Sequence, residues 1–192
     1  MSLAEDIPAA PSQFDDAESF LAWAEAQPGR YELVDGVVRM MAGATLNHGR
    51  LSRNALRALA NRLDTGPCEA FGPDVAVIVG PRWVVLPDAS VGCEPTTGPG
   101  LDRPVVIFEV LSPSTAAYDM GDKAAAYRNL PSLRHLVLVS QDRIRVQHFH
   151  REAGDRDFTL TELASVNAVL ALAAIGVEMT AAELYAQVVF GA

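Results

Sequence analysis

Apolar and polar residues recur along the chain with helical and strand periods, and these periods predict its elements. Residues 12–26, SQFDDAESFLAWAEA, have an apolar side and acidic residues in the first turns, which is typical of an amphipathic helix. A second helix is predicted over residues 48–63, with Asn47 as its N-cap. Its buried stripe is expected to consist of Leu51, Ala55, Leu59 and Leu63.

Strand-like patterns fill much of the remaining chain. Two short β-type runs flank Asp35-Gly36, a dipeptide typical of a tight hairpin turn. Further strands are predicted at residues 70–79, 82–91, 104–111, 133–140 and 143–150. The last two are expected to pair with each other across a short turn. Helical segments are predicted at residues 115–129 and 180–188.

Strands mixed with helices favour an α/β (α+β) fold in which helices flank a mixed β-sheet, after an N-terminal helix and hairpin. The length of 192 residues suits one domain, expected over residues 13–192, after a flexible N-terminus over residues 1–12. The most apolar tract, residues 169–177, is too short to span a bilayer, and no signal-peptide pattern is visible. A cytoplasmic protein without a membrane partner is therefore expected.

Charge and cysteine content narrow the function classes. A formal net charge of −9 weighs against a general nucleic-acid binder, because such binding depends on Lys and Arg displacing counterions. A local basic surface is still compatible with that charge: Arg50, Arg53 and Arg57 line one side of the second helix, although a solvated face is the favoured explanation for them. Cys68 and Cys93 lack CxxC spacing, so two buried free thiols are expected rather than a disulfide or a zinc site.

Three carboxylates occur where the apolar pattern disfavours charge. Asp88 follows a proline after an apolar run, Glu109 interrupts VVIFEVL, and Glu32 lies in the first hairpin strand. Each alone has a structural explanation, such as a turn cap, an ion pair or a solvated hairpin face. Asp88 and Glu109 together end two strands that are expected to be adjacent, and converging carboxylates repel one another unless a cation lies between them. Their oxygen ligands favour Mg²⁺ or Mn²⁺.

Lys123 is the candidate that could complete such a site. A helix would put it on one face with Asp119 and Tyr127, since these residues are spaced by four. A lysine beside a bound cation can orient or deprotonate an attacking water, or neutralise charge in the transition state. The competing explanation is a surface ion pair between Asp119 and Lys123.

The order of these motifs closely resembles the Uma-two family, a group of restriction-endonuclease-like proteins within the PD-(D/E)xK nuclease superfamily. The resemblance spans roughly residues 18–150 and includes an Asn-His pair before a helix. Its sharpest parts are YELVDG at residues 31–36, the Pro87-Asp88 pair, and the EVLSPST…YD…GDK…YR constellation at residues 109–128. The resemblance implies a metal-dependent endonuclease that acts on DNA with Mg²⁺ or Mn²⁺, built on a central mixed sheet flanked by helices.

Carried onto this sequence, the resemblance implies that Asp88 and Glu109 bind the metal and that Glu32 is an additional active-site acid. The superfamily usually has its lysine two residues after the second acid, where this chain has Leu111. Family members of this type supply the lysine from the following helix, and Lys123 has that position. The residues expected to contact the DNA backbone or shape the pocket are Arg50, Arg53, Arg57, Tyr118 and Tyr127.

Two alternatives to a nuclease follow from the same residues. A catalytically inactive nuclease-fold protein that serves as a binding or assembly module fits the acidic charge. A hydrolase with Ser112 or Ser114 as its nucleophile is disfavoured, because neither serine has a GxSxG context and Pro113 between them indicates a turn. Cutting both strands of a duplex usually requires two active sites, which makes a homodimer possible.

Overall fold

The computed structural model describes residues 11–41, 43–95, 97–112 and 119–191. Its helices are α1 (Ala17–Glu25), α2 (Leu46–Leu63), α3 (Ala124–Arg128) and α4 (Ala181–Leu184). Its strands are β1 (Tyr31–Val34), β2 (Val37–Met40), β3 (Glu69–Phe71), β4 (Val77–Gly80), β5 (Trp83–Val85), β6 (Ala89–Gly92), β7 (Pro104–Leu111), β8 (His135–Ser140), β9 (Val146–His150), β10 (Thr159–Leu163), β11 (Val169–Leu172) and β12 (Val177–Thr180). A π-helical turn, Asp119–Lys123, leads into α3.

Two main sheets and a hairpin form the β-structure of the described residues. A six-stranded sheet has the order β10-β9-β8-β7-β6-β3, and in it only β7 and β8 run parallel. A four-stranded sheet has the order β2-β1-β5-β4, and β11 pairs with β12. The predicted mixed α+β fold is therefore confirmed, with its strands divided between sheets rather than joined in one.

The two faces of the six-stranded sheet pack against different partners. Phe108 and Val137 point to the face covered by α2, α4 and the β11–β12 hairpin. Ile107 and Leu136 are their neighbours along the strands and point to the other face, because strand side chains alternate. That second face packs against α3 and the four-stranded sheet. The described residues contain no helix with the length and apolarity needed to span a bilayer.

Two segments that were predicted as single strands are each divided between the two sheets. Residues 70–79 supply β3 of the larger sheet and β4 of the smaller one, and residues 82–91 supply β5 and β6 in the same way. A turn closed by a hydrogen bond from Val75 N–H to Gly72 O separates the first pair. Pro87 separates the second pair, because proline has no N–H to donate to a ladder. The break at Pro87 positions Asp88 at the start of β6.

The hairpin and the first two helices follow the predicted pattern with shifted boundaries. Asp35 and Gly36 both have positive φ, 49° and 79°, as a tight hairpin turn requires. Helix α1 begins later than predicted, because the Asp16 carboxylate caps it by accepting the Ser19 N–H at 2.8 Å. The predicted stripe of α2 is confirmed, since Leu51, Ala55, Leu59 and Leu63 are all buried.

The prediction that Asn47 caps α2 was wrong. The N-cap is Thr45, whose hydroxyl accepts the His48 N–H at 3.1 Å, so the helix begins at Leu46. The Asn47 amide instead donates to Val189 O at 2.8 Å and accepts the Val189 N–H at 3.2 Å. Asn47 therefore ties the C-terminal segment to the start of α2.

The prediction of two buried free thiols was also wrong. Cys68 and Cys93 form a disulfide, and both residues are half-buried. Glu69 pairs with Gly92 in the antiparallel β3–β6 ladder. Cys68 precedes Glu69 and Cys93 follows Gly92, so the two cysteines lie opposite each other at the end of the ladder. The bridge depends on this non-local register, which the cysteine spacing along the chain does not reveal.

Two buried histidines face each other on β8 and β9. The Ala174 N–H donates to His135 Nε2 at 3.1 Å, so the ring proton of His135 is on Nδ1, which donates to His148 Nε2 at 2.9 Å. Burial is the main cause that lowers the pKa of His135 to about 4 and that of His148 to about 3, and nearby positive charge lowers both further. Both rings are therefore neutral in the folded protein at neutral pH.

We expect acid to destabilise the fold through this histidine pair. In the unfolded chain these rings titrate near pH 6.5, so below that pH the unfolded state binds protons that the folded state excludes down to about pH 4. The unfolding free energy should fall between pH 7 and pH 5, and His148→Gln should reduce that fall by about 2 kcal/mol. Urea denaturation at the two pH values measures it, and equal falls in both proteins would contradict the prediction.

Candidate active site

Asp88 directly precedes β6, and Glu109 lies in β7, the strand that pairs with β6. Ala89 pairs with Phe108 in the antiparallel β6–β7 ladder, so one step along the register sets Asp88 opposite Glu109. The Val110 N–H donates to Asp88 Oδ2 at 2.7 Å, which holds this carboxylate against β7.

Lys123 lies between two of the three acids that the sequence singled out. Its Nζ is 3.0 Å from Glu32 Oε1 and 2.8 Å from Glu109 Oε1. Glu32 belongs to β1 of the four-stranded sheet and Glu109 to β7 of the six-stranded sheet, while Lys123 ends the π-helical turn before α3. The lysine therefore joins three elements at the junction of the two sheets, and all three side chains are buried.

Hydrogen bonds fix the orientation of both glutamates. The Leu86 N–H donates to Glu32 Oε1 at 2.9 Å, and the Tyr127 hydroxyl donates to Glu109 Oε1 at 2.6 Å. Tyr127, on α3, is buried, and Glu109 is among its contacts. A donor from the segment after β5 and a donor from α3 thus hold these carboxylates in place.

The pKa of Asp88 is shifted by its surroundings in the site. Burial raises the pKa of the Asp88 carboxyl above its ordinary value. The charges of His48 and Lys123 and the hydrogen bond from Val110 oppose this shift without cancelling it. A bound cation would favour the ionised carboxylate by the same Coulombic effect.

The donor chemistry of the cluster fits a divalent cation. Three buried carboxylates and one ammonium carry a formal charge of −2 when all are ionised. Among the described residues, no three His, Cys, Asp or Glu side chains are placed so that they could hold one metal ion together. Mg²⁺ does not require one, because it commonly binds one or two carboxylates and retains several waters. Asp88, just before β6, and Glu109, in the adjacent strand β7, supply that number of carboxylates.

His48 belongs to this cluster, although the sequence analysis did not select it. Its Nε2 lies 3.4 Å from Asp88 Oδ2. One helical turn later, the Ser52 hydroxyl donates to the backbone oxygen of Asp88 at 3.3 Å. The available signal was the i, i+4 spacing of His48 and Ser52 beside the buried stripe of α2, which indicates a polar edge facing the sheet.

The three arginines that were expected to contact DNA lie on the solvent-facing side of α2. Arg50 donates to Asn47 Oδ1 at 2.9 Å, and Arg53 donates to Gln187 Oε1 at 3.0 Å. Arg57 is exposed. The residue of α2 that contacts the acids by its side-chain charge is His48, near Asp88, so a contact between the arginines and DNA stays a prediction.

Two further candidate residues, Tyr118 and Ser114, lie outside the described residues. The helical segment predicted over residues 115–129 is described from residue 119 onward, as the π-helical turn followed by α3.

The chain has relatives of similar length in a cyanobacterium. It is 34% identical over 148 residues to the uncharacterized protein slr1290 of Synechocystis sp., an alignment that covers 75% of this chain and 78% of the relative. It is 32% identical over 158 residues to the uncharacterized protein sll1609 of the same organism, with 79% of this chain and 89% of the relative covered. Neither name states an activity.

A solved structure has the same fold. The crystal structure of "a putative nuclease belonging to DUF820" from Anabaena variabilis superposes with a TM-score of 0.67, covering 85% of this chain and 93% of that one. The sequences are 12% identical, so the likeness concerns the fold. The profile of the Uma2 family, described as "Putative restriction endonuclease", matches residues 17–182. This match covers most of the sequence, and the chain therefore belongs to the Uma2 family.

Proposed function

We propose that the protein is a divalent-cation-dependent endonuclease that hydrolyses phosphodiester bonds in DNA. The observation that carries the proposal is the buried Lys123 ammonium, which lies within 3.0 Å of both Glu32 and Glu109 at the strand ends where Asp88 also lies. Burying an ion-paired lysine beside further carboxylates costs free energy of folding, so its presence here suggests a functional role. Membership of the Uma2 family supports a nuclease as that role.

Asp88 and Glu109 would hold the cation through their carboxylate oxygens. Mg²⁺ or Mn²⁺ bound there would polarise a phosphate oxygen and lower the pKa of a bound water. The chain's own task is to keep both carboxylates in position, which it does through the N–H of Val110 and the hydroxyl of Tyr127. Their orientation requires no rearrangement when the substrate binds.

Lys123 would stabilise the charge that develops on the phosphate. As a water oxygen bonds to phosphorus and the bond to the leaving oxygen breaks, negative charge grows on the non-bridging oxygens. The water gives up a proton to a carboxylate or to solvent, and the leaving oxygen takes one from solvent. A fixed ammonium in a buried site acts strongly on that charge because little water screens it. Glu32 holds the ammonium in place as a positioning residue.

Cleavage of a supercoiled plasmid tests the proposal. We expect nicked or linear DNA with Mg²⁺ or Mn²⁺ and uncut DNA with a chelator. Linear DNA formed without a lasting nicked form would indicate two active sites that act together. The matched variant Asp88→Asn retains an oxygen that can accept the Val110 N–H but lacks the negative charge.

The cation affinity of Asp88→Asn should fall at least about tenfold, as calorimetric titration with Mn²⁺ would measure. If the wild-type protein neither cuts DNA nor binds a cation, the nuclease proposal is wrong. A non-catalytic binding or assembly module would then account for the fold.

A further inference from the structure

Helix α2 is docked against Asp88 by two side chains four residues apart. His48 Nε2 lies 3.4 Å from Asp88 Oδ2, and the Ser52 hydroxyl donates to Asp88 O at 3.3 Å. The N–H of His48 is held by the Thr45 hydroxyl at 3.1 Å, so the first turn of the helix is closed at this residue. The imidazole is therefore presented to the carboxylate by a fixed backbone.

The separation of these two side chains matches two ligands of one ion. At 3.4 Å, His48 Nε2 and Asp88 Oδ2 are farther apart than a normal hydrogen bond between nitrogen and oxygen. Two ligands that each lie about 2.1 Å from one cation, at roughly 90–110° to each other, are about 3.0–3.5 Å apart. The ligand atoms are thus already at the spacing that a shared cation would impose.

His48 is also the member of the cluster most open to solvent. Its side chain is 21% exposed, compared with 9% for Asp88 and 4% for Lys123. An ion that enters from solvent on the side of α2 would meet the imidazole before it reaches the buried acids. The ring leaves the Lys123–Glu109 contact undisturbed, because Lys123 approaches Glu109 from the π-helical turn.

We propose that His48 Nε2 is a nitrogen ligand of the same cation that Asp88 binds, and that it makes the site prefer Mn²⁺ to Mg²⁺. This inference rests on the proposed function, since it concerns the cation of that site. Mn²⁺ binds oxygen ligands as Mg²⁺ does, but as a first-row transition metal it also accepts an imidazole nitrogen more readily than Mg²⁺, which requires oxygen ligands. A mixed nitrogen and oxygen set therefore changes which cation the enzyme uses without changing the reaction.

Calorimetric titrations with Mn²⁺ and with Mg²⁺ test the preference. We expect His48→Ala to lower the Mn²⁺ affinity by about 10–100-fold and to change the Mg²⁺ affinity much less. The matched control is His150→Ala, because His150 lies on β9 and contacts Thr161 rather than the acids. Equal losses for the two cations, or no loss for Mn²⁺, would overturn the inference.

Pulsed electron paramagnetic resonance of the Mn²⁺-loaded wild-type protein gives a second readout that does not depend on a variant folding. Coupling of Mn²⁺ to an imidazole nitrogen is expected, and its absence in Mn²⁺-bound protein would also overturn the inference. The two proposals fail in different ways. A wild-type protein that binds neither cation contradicts the proposed function itself, whereas one that binds Mn²⁺ without nitrogen coupling contradicts only the role of His48.

Discussion

The Lys123→Ala protein should cut DNA at least about 10²–10³-fold more slowly than the wild type and should be about 3–5 kcal/mol less stable to unfolding. The loss of activity follows from removing the fixed positive charge beside the reacting phosphate. The loss of stability follows from leaving Glu32 and Glu109 buried without their shared partner. Plasmid cleavage and urea denaturation measure the two effects separately.

Two companion variants separate charge from packing in this prediction. Lys123→Met retains most of the apolar stem, so any stability that it loses reflects the missing ammonium. Adding Glu32→Gln to Lys123→Met removes one of the stranded acids, and we expect the double variant to be more stable than the sum of the two single changes implies. Strict additivity, or wild-type cutting by Lys123→Ala, would contradict the central place of this lysine.

The sequence predicts most accurately the strands that consist of one uninterrupted apolar run buried in one sheet. Strand β7 occupies the predicted residues 104–111. It is a central strand of the larger sheet, with β6 on one side and β8 on the other, and nearly every position in it is apolar. Residues 70–79 and 82–91 were predicted as single strands, yet Gly72-Pro73-Asp74 and Pro87-Asp88 interrupt them and each segment is shared between two sheets. Which sheet a short strand joins is decided by distant partners, and a local pattern contains no information about them.

The same distinction applies to the side chains of the site. Glu32, Asp88 and Glu109 could be selected from the sequence because a charge in an apolar run needs a partner. His48 was not selected, since a histidine in the first turn of a helix is ordinary until its neighbour across space is known. The Cys68–Cys93 bridge was missed for a similar reason, because it depends on the register of two strands that are far apart in sequence.

The Glu109→Gln protein should lose cutting to a similar extent as Lys123→Ala while keeping most of its stability. The glutamine oxygen can still accept from the Tyr127 hydroxyl, which lies 2.6 Å from Glu109 Oε1. Lys123 keeps its charged partner Glu32, so no buried charge is left unpaired. We therefore expect a stability loss of only about 1–2 kcal/mol, the value of weakened hydrogen bonds to a charged group.

Activity should nonetheless fall by at least about 10²-fold, because the lost charge weakens the cation that must polarise the phosphate. Glu94→Gln is the matched control, since the same substitution there affects an exposed acid paired with Arg103. That control should cut and unfold like the wild type, because exposed ion pairs contribute little. If Glu109→Gln cuts DNA as fast as Glu94→Gln, Glu109 does not bind the cation. If instead Glu109→Gln loses cutting but keeps its stability while Lys123→Ala loses both, the contrast separates two functions of one buried cluster, one that holds the fold together and one that binds the cation.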